Sequence, residues 1–254
     1  MFSIKLEDIL SKAEEVKVDG KAILQRSFNY KESSITIKTD GEALREAVNA
    51  VIEHRRQLES YIRRRPDFLM SLKPISVEST APLIVRRMGE AATLADVGPM
   101  AAVGGAIADL AVEAAMSSGA HGVLVEDGGE ISIDGEYAFT VAIGAGESPL
   151  SYRIGFRLSE EFYPIGIATS SATVGHALSF GIADAATVVS RNATLADAFA
   201  TKLCNSVNGR TVEEAMKSGI DAAENCEEIL GALIIIGDRI ALIGDLPPIV
   251  KIEN

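Results

Sequence analysis

Two oxygen-bearing side chains stand four residues apart in the run Ala196-Asp-Ala-Phe-Ala-Thr201. Residues with this spacing lie on one face of a helix, so Asp197 and Thr201 can direct their oxygens to one point. Hard oxygen donors of this kind suit Mg²⁺ beside a phosphate group. Thr194-Leu-Ala-Asp197 also matches a helix start, with Thr194 capping the first turn and Asp197 near the helix dipole. Both interpretations stay open from the spacing alone.

A second polar segment, Gly166-Ile-Ala-Thr-Ser-Ser-Ala-Thr-Val-Gly-His176, precedes this pair. The hydroxyls of Thr169, Ser170 and Ser171 can donate to a phosphate, although hydroxyls after a strand also satisfy their own turn. His176 follows a glycine and is a candidate for proton transfer or ligand contact. The alternative is that His176 has only a structural role, with its ring hydrogen-bonded to the backbone. We therefore predict a functional site in this region.

Composition limits the classes of function. The chain has 254 residues and a formal net charge of −12, which argues against broad binding to nucleic acid or an anionic membrane. No uninterrupted apolar run approaches the roughly 18 residues that cross a bilayer, and acids interrupt the opening segment. Cys204 and Cys226 are too few for a disulfide framework and have no metal-binding spacing. These features predict a cytoplasmic protein with reduced thiols.

Hydrophobic periodicity and turn residues predict mixed α and β elements. The predicted helices cover residues 42–65, 82–92, 99–116, 193–203 and 212–217. The predicted strands cover residues 22–29, 35–38, 122–125, 131–133, 138–143, 152–156, 164–168, 186–189, 233–236 and 239–243. No linker divides the chain. We predict a single α+β domain over residues 1–254, with a mainly antiparallel sheet and packed helices.

Three further features have both a structural and a functional interpretation. Asp109 lies in an apolar helix of small residues, so its carboxylate needs solvent, a partner or a cofactor contact. Gly128-Gly129 is typical of a hairpin turn, because glycine supplies a positive φ. The basic runs His54-Arg-Arg56 and Arg63-Arg-Arg65 alternate with Glu53 and Glu59, which predicts a solvated helix face with intrahelical pairs. An anion site or a subunit contact is the alternative for these runs.

The order of four motifs resembles that of the ApbE-like family, the FAD:protein FMN transferases. These motifs are Gly104-Gly-Ala-Ile-Ala-Asp109, Leu124-Val-Glu-Asp-Gly-Gly-Glu-Ile131, Gly166-Ile-Ala-Thr-Ser-Ser171 with His176, and Ala196-Asp-Ala-Phe-Ala-Thr201. The chain is similar over nearly its whole length to uncharacterised prokaryotic ApbE-like proteins. That likeness is carried by Phe28-Asn-Tyr-Lys-Glu32, Arg56-Gln-Leu-Glu-Ser-Tyr-Ile62 and Val97-Gly-Pro-Met-Ala-Ala-Val-Gly-Gly-Ala-Ile-Ala108.

The resemblance implies an ApbE-like fold, a nucleotide pocket for FAD and Mg²⁺, and an acceptor protein. It implies Asp197 and Thr201 as Mg²⁺ ligands and His176 and Asp197 as catalytic residues. The cofactor contacts that we predict, partly from the hydroxyls above, are Gly105, Asp109, Gly128, Gly129, Thr169, Ser170 and Ser171. The implied reaction is attack of a threonine hydroxyl on the FMN-side phosphorus, with AMP leaving.

This chain departs from the transferase motifs at three places. Gly104-Gly105 stands where the transferases carry Lys-Gly, Glu130 replaces an Asp or Asn, and His176 is not followed by an Asp-Pro-x-Thr-Gly stretch. Two alternatives to a transferase therefore stay open. One is a non-catalytic nucleotide-binding protein, and the other is a homo-oligomeric structural or regulatory subunit.

Overall fold

Helices and strands follow one another irregularly in the computed structural model, which describes residues 6–172 and 181–252. The α-helices of this described part are α1 (Leu6–Leu10), α2 (Ala43–Arg64), α3 (Pro66–Met70), α4 (Leu83–Ala95), α5 (Val103–Ser117), α6 (Ala193–Ser206) and α7 (Val212–Glu224). Short 3₁₀ helices lie at Pro99–Ala102 and Glu160–Phe162. The strands are β1 (Glu14–Val18), β2 (Lys21–Tyr30), β3 (Ser33–Thr39), β4 (Gly122–Asp127), β5 (Glu130–Gly135), β6 (Phe139–Ala142), β7 (Ile154–Leu158), β8 (Ile165–Ser170), β9 (Ala185–Ser190), β10 (Gly231–Ile236), β11 (Arg239–Gly244) and β12 (Ile249–Lys251).

The strands form two sheets within the described residues. The larger has nine strands in the order β1-β2-β3-β4-β5-β8-β9-β10-β11, and the smaller has the order β12-β7-β6. Every pairing is antiparallel. The prediction of an α+β fold with a mainly antiparallel sheet and packed helices is therefore confirmed.

The inner strands of the large sheet are buried on both faces, whereas the edge strands β1 and β11 are largely exposed. In β4, Val123 and Val125 belong to the core beneath the helices, whereas Leu124 belongs to the core beneath the small sheet. Successive side chains of a strand point to opposite faces, so a continuous apolar run fits a sheet covered on both sides. Phe139 of β6 and Phe156 of β7 supply the cover on the side away from the helices. The resulting layers are helices, large sheet and small sheet.

Helix α5 is the central element of the helical layer. Ala106, Ala108, Ala111 and Ala115 are buried, and the helix packs between α2, α6 and the sheet. The stretch Pro99–Ser117 is long and apolar enough to cross a membrane by length and composition, but 61% of its most apolar window is buried inside the protein. A buried core helix can meet the same criteria of length and composition, so these criteria alone do not identify a membrane span. The small residues of α5 allow neighbouring backbone to approach closely, as the start of α6 does at Gly105.

Several predicted elements are confirmed, and others were missed. Helix α2 differs by one residue at each end from the predicted range 42–65. The β10–β11 hairpin and its two-residue turn also match. The sequence prediction missed α1, β1 and β12, and it did not separate the small sheet from the large one. The apolar outer face of the large sheet requires that separate cover.

Candidate functional site

The start of α6 is fixed by Asn192 and Asp109. Asn192 is the N-cap, and its side chain accepts a hydrogen bond of 2.9 Å from the backbone N–H of Leu195. The predicted cap at Thr194 is therefore wrong. Thr194 lies inside the first turn, and its Oγ1 donates to Asp109 Oδ2 over 2.6 Å. Asp197 lies in the second turn, beyond the reach of a capping interaction.

The carboxylate of Asp109 is buried and fully engaged. It accepts hydrogen bonds from the backbone N–H of Ala193 at 2.9 Å and of Thr194 at 2.8 Å. Ser132 Oγ of β5 donates a further bond of 2.7 Å. Asp109 thereby joins α5, α6 and β5, which explains a carboxylate in an apolar helix. It lies behind the cavity described next and is absent from its wall.

A glycine allows α5 and α6 to meet at this point. A Cβ on Gly105 would lie 2.1 Å from the carbonyl oxygen of Ala193, which leaves no room for a side chain. The backbone N–H of Gly105 donates to Asp197 Oδ2 over 3.0 Å. Gly105 therefore orients Asp197 and, like Asp109, lies outside the cavity wall.

A cavity of about 790 Å³ opens above this junction. One part of its wall carries carboxylates, hydroxyls and glycines from α5, β4–β5, β8 and α6, namely Gly104, Asp127, Gly128, Glu130, Thr169, Ser170, Ser171, Asp197 and Thr201. Another part comes from the β2–β3 turn and α2 and includes Lys31, Glu32, Ser33, Ser34, Arg55, Glu59 and Arg63. Apolar residues complete it, among them Ile62, Leu69, Met100 and Val103.

The acidic wall brings most of the predicted site residues together. Asp197 and Thr201 lie one helical turn apart on α6, and both line the cavity. Ser170 Oγ lies 3.5 Å from Thr201 Oγ1, so the end of β8 meets α6 at this point. Thr169 Oγ1 bonds Thr187 Oγ1 of β9 at 2.9 Å. These contacts hold Ser170 and Thr169 at the cavity wall that Asp197 also lines.

Burial and mutual repulsion dominate the pKa values of the carboxylates on this wall, although Arg55 partly offsets the charge of Asp127. Burial raises the pKa of Asp197 to about 8, and the negative charges of Asp127 and Asp109 add to the rise against the opposing N–H groups of Gly105 and Gly104. Burial also raises the pKa of Glu130 well above its usual range, assisted by the charges of Asp197 and Asp127. The pKa of Asp127 is raised by burial too, although Ser33 and Ser34 donate to it.

Glu130 was not among the predicted site residues. It is half-buried, and its Oε2 lies over Gly104, where a Cβ would be only 2.5 Å away. The sequence signal was its position after Gly128-Gly129, where the transferase motif has a shorter side chain. Asp127 has no comparable signal, because its inward orientation follows from the pairing of β3 with β4.

The turn between β4 and β5 contains Gly128 and Gly129, with φ values of +73° and +121°. The structural interpretation of a hairpin turn is thus confirmed. Gly128 also lines the large cavity, whereas Gly129 lines a smaller cavity of about 420 Å³ on the other side of the turn. The two cavities share Gly128, Thr169 and Ser171 in their walls.

The basic run on α2 is only partly solvated. Arg55 is 8% exposed, which contradicts the expected solvated face at this position. Its guanidinium pairs with Glu32, and its Nε lies 4.0 Å from Glu59 one turn along the helix. The predicted intrahelical pairing is therefore present, but it lies at the cavity wall.

The predicted catalytic residue His176 lies outside the described residues.

The predicted metal site rests on few donors. Within residues 6–172 and 181–252, no group of three or more His, Cys, Asp or Glu side chains is arranged to hold a metal ion. Mg²⁺ sites commonly use one or two carboxylates and complete their coordination with water and substrate phosphates. The donor set at Asp197 and Thr201 fits that pattern.

The fold defined by these layers is that of the ApbE proteins. The chain resembles an apo structure of the flavinyl transferase ApbE from Pseudomonas stutzeri with a TM-score of 0.60 and 14% identity, over 91% of this chain and 95% of that one. A flavin transferase ApbE from Vibrio cholerae gives a TM-score of 0.57 and 15% identity, over 91% and 98%. At this identity the likeness shows the fold alone.

The particular family follows from sequence. A family model described as "AbpE bacteria" matches residues 17–240, and the chain belongs to this family. A UPF0280 protein of Methanocaldococcus jannaschii is 38% identical over 227 residues, covering 88% of this chain and 92% of its own length. A UPF0280 protein of Methanococcus maripaludis is 41% identical over 233 residues, covering 91% and 94%. The predicted relation to uncharacterised ApbE-like proteins is confirmed.

Proposed function

We propose that this protein binds a flavin nucleotide, or a related phosphorylated ligand, together with Mg²⁺ in the large cavity. The observation that carries the proposal is the placement of Asp197 and Thr201 on one face of α6, inside a cavity that Thr169, Ser170 and Ser171 also line. Hydroxyls and a carboxylate at one point suit a cation beside phosphate oxygens. FAD is the ligand that the family resemblance favours.

The chemistry of the wall fits a bound cation. Asp197 and Glu130 have raised pKa values because burial and neighbouring carboxylates disfavour their charged forms. A divalent cation at Asp197 would remove that penalty there and hold this carboxylate ionised. Asp197 and Thr201 are the residues that would hold Mg²⁺. When bound, Mg²⁺ would neutralise charge on a phosphate.

The smaller cavity supports a ligand with a ring system next to its phosphates. Its wall includes the apolar side chains of Ile131, Ile143 and Ile167 and the ring of Tyr152. It meets the large cavity at Gly128, where a turn without side chains lets a ligand pass close to backbone. A molecule that joins a flat apolar ring to a diphosphate matches both spaces.

The reaction that we propose is transfer of the FMN part of FAD to a hydroxyl of an acceptor protein. A bond forms between the acceptor oxygen and the FMN-side phosphorus, and the bond from this phosphorus to the AMP oxygen breaks. Glu130 is half-buried in the cavity, and its raised pKa makes it a suitable acceptor for the hydroxyl proton. Asp197 and Thr201 orient the phosphates.

A non-catalytic nucleotide-binding protein is the second candidate, and Gly104 favours it. Gly104 stands where the transferase motif has a lysine, so one cationic contact to the ligand is lost. A homo-oligomeric structural subunit is the third possibility and needs no ligand. We further propose a cytoplasmic location, with the acceptor protein as the macromolecular partner.

Calorimetry with FAD tests the binding proposal. We expect FAD to bind in the presence of MgCl₂, and binding to weaken at least about tenfold in EDTA, in Asp197→Asn and in Thr201→Val. The exposed Asp221 of α7 provides a matched control, because Asp221→Asn removes a helical carboxylate far from the cavity. Undiminished binding in Asp197→Asn would refute the proposed role of that carboxylate.

A transfer assay separates the first two candidates. The protein is incubated with FAD, MgCl₂ and a threonine-containing peptide, and AMP release and peptide mass are measured. An increase in peptide mass by one FMN, less water, supports transfer. FAD binding without AMP release in this assay supports a non-catalytic binding protein.

A further inference from the structure

Three cationic side chains line the cavity wall formed by the β2–β3 turn and α2. Lys31 lies in the turn, and Arg55 and Arg63 lie two helical turns apart on one side of α2. We call these three residues the basic cluster. They contribute positive charge to a cavity whose other wall carries Asp127, Glu130 and Asp197, in a protein with a net charge of −12.

The partners of the basic cluster leave it with excess positive charge. Lys31 Nζ lies 3.2 Å from Glu59 Oε2, and the Arg55 guanidinium pairs with Glu32. Arg63 has no ion-pair partner among the residues that the structure describes. Glu59 Oε1 also lies 4.0 Å from Arg55 Nε, so three cations share the carboxylates of Glu32 and Glu59 at this wall, and Asp127 of the opposite wall interacts electrostatically with Arg55.

Arg55 carries a second sign of an absent partner. Its side chain is 91% buried, and its Nε is among the buried polar atoms of the described residues without a hydrogen-bond partner. A buried donor that lacks an acceptor is destabilising, because it has lost its hydrogen bonds to water without replacement. The guanidinium group also has the planar geometry that binds carboxylate or phosphate oxygens in pairs. Arg55 Nε thus lacks an acceptor within hydrogen-bond distance, because Glu59 Oε1 lies 4.0 Å away.

We propose that the basic cluster binds an anionic group of the ligand, a phosphate or a carboxylate, separately from the phosphates at Asp197 and Thr201. The acidic wall repels an anion unless a cation is present, whereas the basic cluster attracts one directly. The identification of this anion as part of a nucleotide rests on the proposed function, but the anion site itself does not. A related phosphorylated ligand with an anionic group beyond its metal-bound phosphates would use both sites, whereas FAD would use only the site at Asp197 and Thr201.

The Nε–H signal of Arg55 in a ¹H–¹⁵N spectrum of the whole protein reports on this site directly. Its cross-peak is identified by its disappearance in Arg55→Lys. We titrate the protein with inorganic phosphate and, separately, with acetate, both in EDTA. We expect a saturable movement of the Arg55 signal with at least one anion, and the choice of anion distinguishes a phosphate from a carboxylate.

Variants separate this site from the acidic wall. Arg63→Gln should raise the midpoint of the titration at least about fivefold, because it removes a cation from the cluster. Arg64→Gln is the matched control, since Arg64 is exposed and absent from the cavity wall, and it should leave the midpoint unchanged. Asp197→Asn should leave the response in place, although it should weaken Mg²⁺-dependent FAD binding at least about tenfold.

Two results would overturn the proposal. An Arg55 signal that moves with neither anion would show that the cluster has no anion site. Loss of the response when FAD and Mg²⁺ are present at saturation would show that the FAD diphosphate itself occupies the cluster. A response that persists in a protein unable to bind FAD would support the anion site and refute only the proposed function.

Discussion

Replacing Asp197 with asparagine should stabilise the protein when no Mg²⁺ is present. The pKa of Asp197 is raised from 3.8 to about 8, chiefly by burial, so the folded state disfavours its charged form. The unfolded chain loses this proton near pH 4, whereas the folded chain keeps it until about pH 8. Stability therefore falls as pH rises between these values, because the native state binds the proton more tightly.

The size of this destabilisation follows from the pH range over which Asp197 is ionised in the unfolded chain but protonated in the folded chain. At pH 7 this span is about three units, and each unit corresponds to about 1.4 kcal/mol, which gives a destabilisation of about 4 kcal/mol. Asparagine retains an oxygen that can accept from the N–H of Gly105 and carries no charge. One kcal/mol moves Tm by about 2 °C in a chain of this length, so Asp197→Asn should raise Tm by roughly 8 °C.

Thermal unfolding by circular dichroism in EDTA, from pH 5 to pH 8, provides the measurement. The wild-type Tm should fall across this range more steeply than that of Asp197→Asn, and Mg²⁺ should raise only the wild-type Tm. Asp221→Asn serves as the control and should follow the wild type. A Tm for Asp197→Asn equal to or below that of the wild type at pH 8 would refute the assignment of Asp197 as a buried, uncompensated charge.

Three further measurements test the same arrangement. Mg²⁺ binding should strengthen from pH 6 to pH 8 and release protons, as calorimetry in buffers of different ionisation enthalpy would show, because burial raises the pKa of Asp197 to about 8. Asp109→Ala should lower the free energy of unfolding in urea by about 3 kcal/mol or more, against about 1 kcal/mol for Ser132→Ala, which removes one hydrogen bond. Gly105→Ala should destabilise by at least about 2 kcal/mol because its Cβ would meet the Ala193 carbonyl, whereas Gly41→Ala, whose Cβ would make an ordinary contact of 3.9 Å with Leu24, should change stability far less.

The local signals in the sequence were strong enough to predict most of the fold. The length of α2 was predictable because its apolar positions recur at helical spacing and Pro66 ends it. The hairpin of β1 and β2 was missed although Asp19-Gly20, both with positive φ, forms the turn that such a pair favours. Alternating charges in β1 obscured its strand character. The separate small sheet could not be predicted, because only tertiary packing decides which strands pair.

Some features of the candidate site could likewise be predicted from the sequence, and others could not. Asp197 and Thr201 share a helix, so their common face follows from spacing alone. The role of Asp109 in holding the start of α6 cannot be inferred from spacing, because its partners lie 84 and 85 residues away in the chain. Arg55 was expected on a solvated face because i,i+4 charge patterns are usually exposed. Its burial arises from the β2–β3 turn, whose position relative to α2 no local pattern specifies.

Gly104 and Glu130 are two of the three departures from the transferase motifs, and the side chain of Glu130 lies over Gly104. A Cβ at Gly104 would lie 2.5 Å from Glu130 Oε2 and 3.0 Å from the Asp127 carbonyl oxygen. The longer side chain of Glu130 thus occupies space that a residue with a side chain at position 104 would need. A lysine there and a shorter acid at position 130 are mutually compatible, as in the transferase motif, and so are glycine and glutamate. We therefore expect the two departures to be energetically coupled.

A double-mutant cycle tests this coupling. Gly104→Lys alone should destabilise the protein by several kcal/mol, on the order of an overpacked core, because the new side chain meets Glu130 and backbone. Glu130→Asp alone should have a small effect. In the double variant the shorter acid makes room and gains a cationic neighbour, so the two changes should be non-additive by about 1 kcal/mol or more in urea unfolding. Additive effects would show that Gly104 is required by backbone contact with Asp127, independently of Glu130.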